Sequence, residues 1–333
     1  MTMKKRIKTA GALTLAAITV LSAAGLSSVY GALGVETDRK CSLTFTLDDT
    51  EFDELRDLEI PVDVYKVADI TEEAVYDTAK YTDFAGLGLE NVSSTTKAED
   101  WAQMAEKAME TVKNKGIEPT VKVTKPKGAA ESTGVDLKTG MYLVQAETVQ
   151  SSEYTYDFTP YLVSLPNNYY YSNENQDDTW VYDVTSTMKP QQTQRYGDLE
   201  IVKDLTKYNA SLKDALFVFQ VEGTRHGEKV YSDVVSVKFD KAGKKSVLVE
   251  DLPAGTVVTV KEVYAGGSYS NTSGDTQETV IAAEGSTDNP ASVSFTNTYN
   301  GKLIPGTGIV NHFENKDGEW SWEQQTDEPA SAN

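Results

Sequence analysis

The chain has 333 residues, and its 51 acidic side chains outnumber 31 basic ones to give a formal net charge of −20 at pH 7. This acidity argues against nucleic acid and anionic membrane surfaces as partners, because both carry negative charge. A single cysteine, Cys41, leaves no disulfide framework, so stability has to come from a large core, a metal or another covalent link.

The first 31 residues have the order of a secretory signal peptide. Basic side chains are concentrated at positions 4–8, an apolar run follows over positions 10–26, and small residues come next. We expect cleavage just before Ala32, and the alternative is an uncleaved N-terminal anchor. After cleavage the chain would hold 27 basic against 51 acidic residues, since four basic residues lie in the signal. The sequence therefore predicts an exported protein.

Strands dominate the first predicted domain, residues 32–190. Apolar and hydroxyl side chains alternate strictly over residues 42–47, which is the period of a half-buried strand. The spacing becomes helical over residues 96–115, where Thr96 and Glu99 have the spacing of a capping box. Strand patterns resume after this segment. We expect a β-sandwich with one inserted α-helix.

A polar segment, residues 166–178, interrupts the strand pattern and is predicted to be a loop. It contains Tyr169–Tyr171 followed by acidic and amide side chains. These acids lack the spacing of a calcium loop, so no metal is predicted. The two histidines, His226 and His312, have no ligand partners at metal spacing, and no motif for a cofactor or a nucleophile is present. The sequence indicates a protein without a cofactor that is not an enzyme.

A second β domain is predicted at residues 199–300. Residues 191–198, with their Pro, Gln and Gly neighbours, are expected to be a linker. Beyond them, about seven short strands at regular spacing indicate a sandwich. The predicted fold class is all-β, with tandem immunoglobulin-like sandwiches and a helix inserted in the first.

Three strands of the second domain end in polar residues that match a known pattern. They read Glu200-Ile201-Val202-Lys203, Val258-Thr259-Val260-Lys261-Glu262 and Phe295-Thr296-Asn297-Thr298-Tyr299. This domain resembles the Cna-B-type domains of Gram-positive surface proteins. In that family a Lys and an Asn form an intramolecular isopeptide bond with a Glu as catalyst. The resemblance implies a bond between Lys203 and Asn297, with Glu262 in the autocatalytic role.

The proposed bond needs a dry environment around its reacting groups. Aromatic residues are expected near the lysine: Phe217, Phe219 and Phe295. Loss of hydration would lower the pKa of Lys203 and supply a neutral amine as nucleophile. Burial also favours a protonated carboxyl, so Glu262 can polarise the Asn297 amide and protonate the departing ammonia. The alternative is a solvated Lys203–Glu262 pair with Asn297 in a turn.

The first domain is similar to the N-terminal domains of sortase-assembled pilins in the segments Tyr161–Pro166 and Trp180–Val184. In those proteins a Val-Tyr-Pro-Lys-Asn motif follows, and sortase joins its Lys to the next subunit. The matching stretch here is Ser186–Pro190, in which Lys189 alone keeps its identity. The resemblance implies Lys189 as a candidate sortase acceptor, and the alternative is an exposed linker lysine.

The first domain departs from the Cna-B pattern in its first strand. Glu147 occupies the position equivalent to Glu262, but the first strand, residues 43–49, contains no lysine. We therefore expect no isopeptide bond of the same arrangement in this domain.

The tail, residues 301–333, has a loose likeness to a sortase signal at Leu303–Gly308, but no apolar span follows. The turn Asn315–Gly318 and the aromatic residues Trp320 and Trp322 predict a small β-hairpin. We expect this hairpin to dock on a neighbouring subunit by strand addition.

The leading prediction for function is a structural subunit of an extracellular bacterial pilus or surface fibre. Its partners would be other pilin subunits or copies of itself, with sortase as a candidate enzyme of assembly. The alternative is a secreted or surface adhesin that binds a host protein or glycan through the Tyr169–Tyr171 loop. Either prediction places the protein outside the cell or on the surface of a Gram-positive bacterium.

Overall fold

The structure is a computed structural model that describes residues 34–47, 52–93, 95–168, 180–302, 309–316 and 319–326. The chain divides into an N-terminal unit, residues 1–151 and 155–193, and a C-terminal unit, residues 152–154 and 194–333. The predicted signal peptide, the Tyr169–Tyr171 loop and Leu303–Gly308 lie outside the described residues. Within those residues, no helix has the length and hydropathy needed to cross a bilayer.

The N-terminal unit is built mainly from strands in three sheets. Its strands within the described residues are β1 (Cys41–Leu47), β2 (Ile60–Ile70), β3 (Tyr76–Asp77), β4 (Val121–Lys125), β5 (Val135–Leu137), β6 (Gly140–Ala146), β7 (Val149–Gln150), β8 (Tyr154–Phe158), β9 (Tyr161–Leu165), β10 (Asp183–Met188) and β11 (Pro190–Gln194). The sheets have the orders β10-β1-β5, β11-β8-β7 and β3-β2-β6-β9, and β4 pairs with β2. β1 and β10 run parallel.

The inserted helix, α1, spans Ala98–Lys115, two residues shorter at its start than the predicted 96–115. The predicted Thr96–Glu99 capping box is wrong. Instead, the backbone N–H of Lys97 donates to Asp100 Oδ2 at 3.2 Å. The negative charge of Asp100 lies in the first turn, where it interacts favourably with the positive end of the helix dipole. Gly116 follows the helix with φ 62°, a left-handed conformation that ends helices and favours glycine.

One face of α1 packs against the sheet of the N-terminal unit. The buried helix residues are Trp101, Ala105, Ala108 and Val112. They share one apolar cluster with Leu143 of β6 and Leu162 of β9. The spacing of three and four residues puts these side chains on one stripe, as the helical pattern in the sequence indicated. Cys41 in β1 is also buried, and burial raises the pKa of its thiol to about 11, so its reactive thiolate form is disfavoured.

The C-terminal unit is a β-sandwich with an added hairpin. Its strands within the described residues are β12 (Tyr196–Lys207), β13 (Ala215–Arg225), β14 (Glu228–Phe239), β15 (Gly243–Pro253), β16 (Val257–Tyr264), β17 (Tyr269–Asn271), β18 (Thr276–Val280), β19 (Ala291–Tyr299), β20 (Ile309–Lys316) and β21 (Glu319–Thr326). The two main sheets have the orders β15-β12-β19-β17 and β14-β13-β16-β18. The prediction of an all-β chain is confirmed.

The first and last strands of the sandwich, β12 and β19, are parallel neighbours. Ile201 is opposite Val293 and Leu205 is opposite Asn297 in their register. Because the strands run in the same direction, the start of β12 and the end of β19 lie at opposite ends of the sheet. Inward-facing side chains of both sheets form one buried cluster between them.

The predicted linker, residues 191–198, does not form an irregular segment. Residues up to Gln194 lie in β11, and residues from Tyr196 lie in β12. The polar sequence hid β11, because amide side chains rather than apolar packing tie it to its neighbours. Gln191 Nε2 donates to Thr159 Oγ1 at 3.2 Å, and Gln192 Nε2 donates to the Tyr156 hydroxyl at 3.0 Å.

The tail contains an antiparallel hairpin made of β20 and β21, with register from Ile309 opposite Thr326 to Lys316 opposite Glu319. The backbone N–H of Trp320 donates to Ser232 Oγ at 3.1 Å. Ser232 lies in β14, an edge strand of the sandwich. The hairpin therefore makes a hydrogen bond within its own unit.

Candidate functional site

Lys203 occupies a core position of β12. Burial alternates along this strand, and Leu199, Ile201 and Leu205 share the inward face with Lys203. The Lys203 side chain is 0% exposed. The period-two geometry of a strand therefore places a charged residue where an apolar one would ordinarily lie.

Asn297 and Glu262 occupy matching core positions on two other strands. Along β19, Asn297 continues the buried series that contains Val293 and Phe295. Along β16, in the opposite sheet, Glu262 continues the buried series that ends at Val260. The same alternation thus turns all three polar side chains into the interior of the sandwich.

The structure brings the three predicted residues together. Lys203 Nζ lies 2.5 Å from Glu262 Oε1, and Nζ also donates to Asn297 Oδ1. Among the described residues, the buried Asn297 Nδ2 has no hydrogen-bond partner. The amine, the carboxyl and the amide are therefore in direct contact, while the nitrogen that would leave as ammonia is not held by another group.

Aromatic rings border the lysine amine. Nζ lies 4.6 Å from the ring centre of Phe217 and 5.6 Å from that of Phe219. The Phe219 and Phe295 ring centres are 5.0 Å apart. Burial lowers the pKa of Lys203 below its ordinary value, and the neighbouring Glu262 opposes that shift. The net direction favours the neutral amine.

This arrangement has the groups needed to form an amide between side chains. Transfer of one proton from Lys203 to Glu262 gives a neutral amine and a carboxylic acid. The amine nitrogen can then attack Cγ of Asn297, giving a proton to Glu262 while the carboxyl passes one to Nδ2. The Nζ–Cγ bond forms, the Cγ–Nδ2 bond breaks and ammonia leaves. Glu262 ends protonated, as it was just before the attack, and keeps the proton that it first took from Lys203.

A fourth polar residue, Asn271, contacts the site and was missed in the sequence. Its Nδ2 donates to Glu262 Oε2 at 2.5 Å. Asn271 ends β17, a strand of three residues, and such a short strand shows no clear period in the sequence. The pairing of Asn271 with Asn297 in neighbouring strands brings it to this position.

Lys189 and Glu147 belong to the N-terminal unit, whereas Lys203, Glu262 and Asn297 belong to the C-terminal unit. Lys189 lies between β10 and β11 of the N-terminal unit and is partly buried. Glu147 is exposed, and its backbone N–H donates to the carbonyl of Pro61. Glu147 therefore differs from its counterpart Glu262, whose side chain is 1% exposed.

A buried lysine in the N-terminal unit, Lys125, was also missed. It ends β4 and is 0% exposed. Its Nζ donates to the carbonyls of Leu55, Arg56 and Leu58 at 2.9, 3.0 and 3.0 Å. These carbonyls belong to a 3₁₀ turn, Asp53–Asp57, and the residue after it. The Lys125 amine thus provides hydrogen-bond donors for the carbonyl oxygens at the end of that turn. The alternating sequence Val121-Lys122-Val123-Thr124-Lys125 places it on the apolar face and was the available signal.

The described part of the chain contains no group of three or more His, Cys, Asp or Glu side chains arranged to hold a metal ion. The reacting groups at the candidate site are an amine, an amide and a carboxyl from the chain itself. The chemistry derived from their geometry requires only these groups.

One protein family matches the second sandwich. It is described as a domain of unknown function, DUF5979, and the match covers residues 199–300. No curated protein matches the chain.

The chain is similar to solved structures of Gram-positive pilins. A streptococcal ancillary pilin is 13% identical, with 85% of this chain and 80% of that chain covered, at a TM-score of 0.26. The shaft pilin SpaA from Lactobacillus rhamnosus GG is 13% identical, with 80% and 100% covered, at 0.27. The major pilin SpaA of Corynebacterium diphtheriae is 15% identical, with 66% and 62% covered, at 0.26.

Proposed function

We propose that the protein is a structural subunit of an extracellular pilus or surface fibre of a Gram-positive bacterium, and that an isopeptide bond between Lys203 and Asn297 closes its second sandwich. The observation that carries this proposal is the buried contact of Lys203 Nζ with Glu262 Oε1 and Asn297 Oδ1. The Cna-B-type sequence pattern around these residues supports the same assignment.

The position of the bond suits a load-bearing role. Lys203 and Asn297 are 94 residues apart in sequence and lie on β12 and β19, the first and last strands of the sandwich. Tension on the two ends of this domain would act on the parallel strand pair. With the bond in place, the load passes from β12 to β19 through a covalent link, and the residues between them are not stretched.

Single-molecule stretching of the full chain tests this role. We expect the wild-type protein to show no extension from residues 204–296, because the bond carries the force and these residues are not pulled. Glu262→Ala, which removes the proton carrier, should release that length when the C-terminal unit unfolds. Equal extension of the wild type and the variant would contradict the load-bearing proposal.

Assembly into a fibre is proposed to use Lys189 as the amine that sortase joins to a neighbouring subunit. The likeness of Tyr161–Pro166 and Trp180–Val184 to sortase-assembled pilins supports this role. Lys189→Arg keeps the charge but removes the primary amine that an amide bond needs. In the producing cells, we expect the wild type to form covalent oligomers that give a ladder on denaturing gels, and this variant should not form them. An unchanged ladder would exclude Lys189 as the acceptor, and Lys122→Arg is the matched control.

The adhesin alternative has one structural observation in its favour. A groove of about 410 Å³ in the N-terminal unit is lined by both apolar and polar side chains, including Met104, Asp100, Gln103 and Lys107. In the adhesin alternative, a small polar ligand is proposed to bind in this open groove. Electron microscopy of the producing cells separates the two functions, because regular fibres that contain this protein support a pilin. A monomeric secreted product that loses binding to host glycans in Gln103→Ala would support the adhesin.

A further inference from the structure

Asn271 holds the carboxyl of Glu262 on the side opposite Lys203. Its Nδ2 donates to Oε2 at 2.5 Å, while Lys203 Nζ lies 2.5 Å from Oε1. Each oxygen of the carboxyl thus has its own partner, one from the lysine and one from the amide of Asn271. A carboxyl with both oxygens engaged has little freedom to rotate.

The orientation of the Asn271 amide is fixed by its other end. Asn271 Oδ1 accepts from the backbone N–H of Ser273 at 2.8 Å and from Ser273 Oγ at 3.1 Å. Because the oxygen is occupied by two donors, the N–H₂ end has to face Glu262. Ser273 Oγ in turn accepts from the backbone N–H of Thr296 at 2.9 Å. This chain of hydrogen bonds ends on β19, one residue before Asn297.

The two partners divide the carboxyl oxygens between two roles. Oε2 accepts a hydrogen bond from the N–H of an amide, which is too weakly acidic to give up its proton, so Oε2 stays an acceptor. Oε1 faces Lys203 Nζ and is the oxygen through which a proton can move. In the reaction that joins Nζ to Cγ of Asn297, Oε1 takes the proton that Nζ loses, and the carboxyl gives one to Nδ2 as ammonia leaves.

We propose that Asn271 is a positioning residue for the cross-linking reaction, which fixes the Glu262 carboxyl by hydrogen bonding to Oε2 and thereby directs its transferable proton to Oε1, beside Lys203. This inference rests on the proposed isopeptide bond. Asn271 touches neither Lys203 nor Cγ of Asn297 in the contacts described, so it acts through Glu262 alone.

The rate of bond formation tests this role. The full chain is made by cell-free synthesis, aliquots are denatured at intervals, and intact mass gives the fraction that has lost one ammonia. We expect Asn271→Ala to close about tenfold more slowly than the wild type, because a proton-transferring group has lost its alignment. Asn300→Ala, in the same domain but without contact to Glu262, should close at the wild-type rate.

The isosteric variant Asn271→Asp separates hydrogen bonding from packing. A protonated carboxyl at position 271 can donate to Oε2, and an ionised one cannot and also repels the Glu262 carboxylate. Glu262 from β16 is the charged group in contact with this position, and Lys203 from β12 contacts Glu262. Relative to the wild type at the same pH, closure of this variant should be near normal in mild acid and should slow as the pH rises.

The outcomes distinguish this inference from the proposal on which it rests. If wild-type chain never loses ammonia, the isopeptide bond itself is refuted and the positioning role with it. If the wild type closes and Asn271→Ala closes equally fast, the bond stands and the positioning role is overturned. Slowing of Asn271→Asp by the same factor at every pH would also overturn it, since that result reflects packing alone. Hydrogen exchange in β13 confirms that each variant is folded.

Discussion

Lys203 Nζ lies 2.5 Å from Glu262 Oε1, and the two side chains are 0% and 1% exposed. The residues come from opposite sheets of the sandwich, so their contact crosses the core. A buried ion pair is a poor stabilising device, because removing two charges from water costs about as much as their attraction returns. The burial of the Lys203–Glu262 pair beside the Asn297 amide is explained if proton transfer and bond formation remove both charges.

Loss of the Glu262 carboxyl should destabilise the C-terminal unit. In Glu262→Ala the proposed bond cannot form, and the loop between Lys203 and Asn297, which are 94 residues apart in sequence, is no longer closed in the unfolded state. By analogy with a disulfide of that span, the free energy of unfolding should fall by about 4 to 5 kcal/mol, as measured by denaturant titration. Glu250→Ala, on an exposed position of β15, is the control. A change for Glu262→Ala no larger than that of the control would contradict the closed-loop account.

An unbonded variant should become more stable as the pH rises. In Asn297→Ala, Lys203 remains a free amine, and burial holds its pKa below the ordinary value of 10.5. Between that lowered pKa and 10.5, the unfolded chain binds more protons than the folded chain, so the free energy of unfolding increases with pH. The double variant Lys203→Met with Asn297→Ala lacks this amine and should not show the increase. If the free energy of unfolding of the two variants changed with pH in the same way, the lowered pKa of Lys203 would not be the cause.

Lys125 should stabilise the N-terminal unit through the three carbonyls that it contacts. Lys125→Met removes the amine that donates to the carbonyls of Leu55, Arg56 and Leu58, and the expected loss in free energy of unfolding is about 3 kcal/mol. Lys122→Met is the control, because Lys122 is on the same strand but its side chain is 65% exposed. Equal effects of the two substitutions on denaturant unfolding would show that the buried contacts contribute nothing.

The strands of the C-terminal unit could be predicted because their buried faces repeat every second residue. The same period predicted that the site residues face the interior, since Lys203, Glu262 and Asn297 each continue an apolar series along a strand. Side-chain alternation says which way a residue faces, and the known pattern of the Cna-B-type domains indicated which three strands to compare. The contact between them depends on the pairing of β12 with β19 and on the facing sheet, which alternation alone does not specify.

Features held by hydrogen bonds were harder to predict than features held by apolar packing. β11 has a polar sequence, and its Gln191 and Gln192 side chains bond to neighbouring residues, so it resembled a linker. β17 is too short for a period, which hid Asn271. Lys125 was visible in the alternation of β4 but was overlooked, because a buried lysine contradicts the usual preference of this residue for water.

The most direct test of the isopeptide bond is the intact mass of the purified full chain, compared with Lys203→Ala and Glu262→Ala. The account predicts that the wild-type chain weighs one ammonia less than its sequence and that a digest contains Lys203 and Asn297 in one branched peptide. Both variants should have the full mass of their sequences. A wild-type chain with no missing ammonia would contradict the central claim.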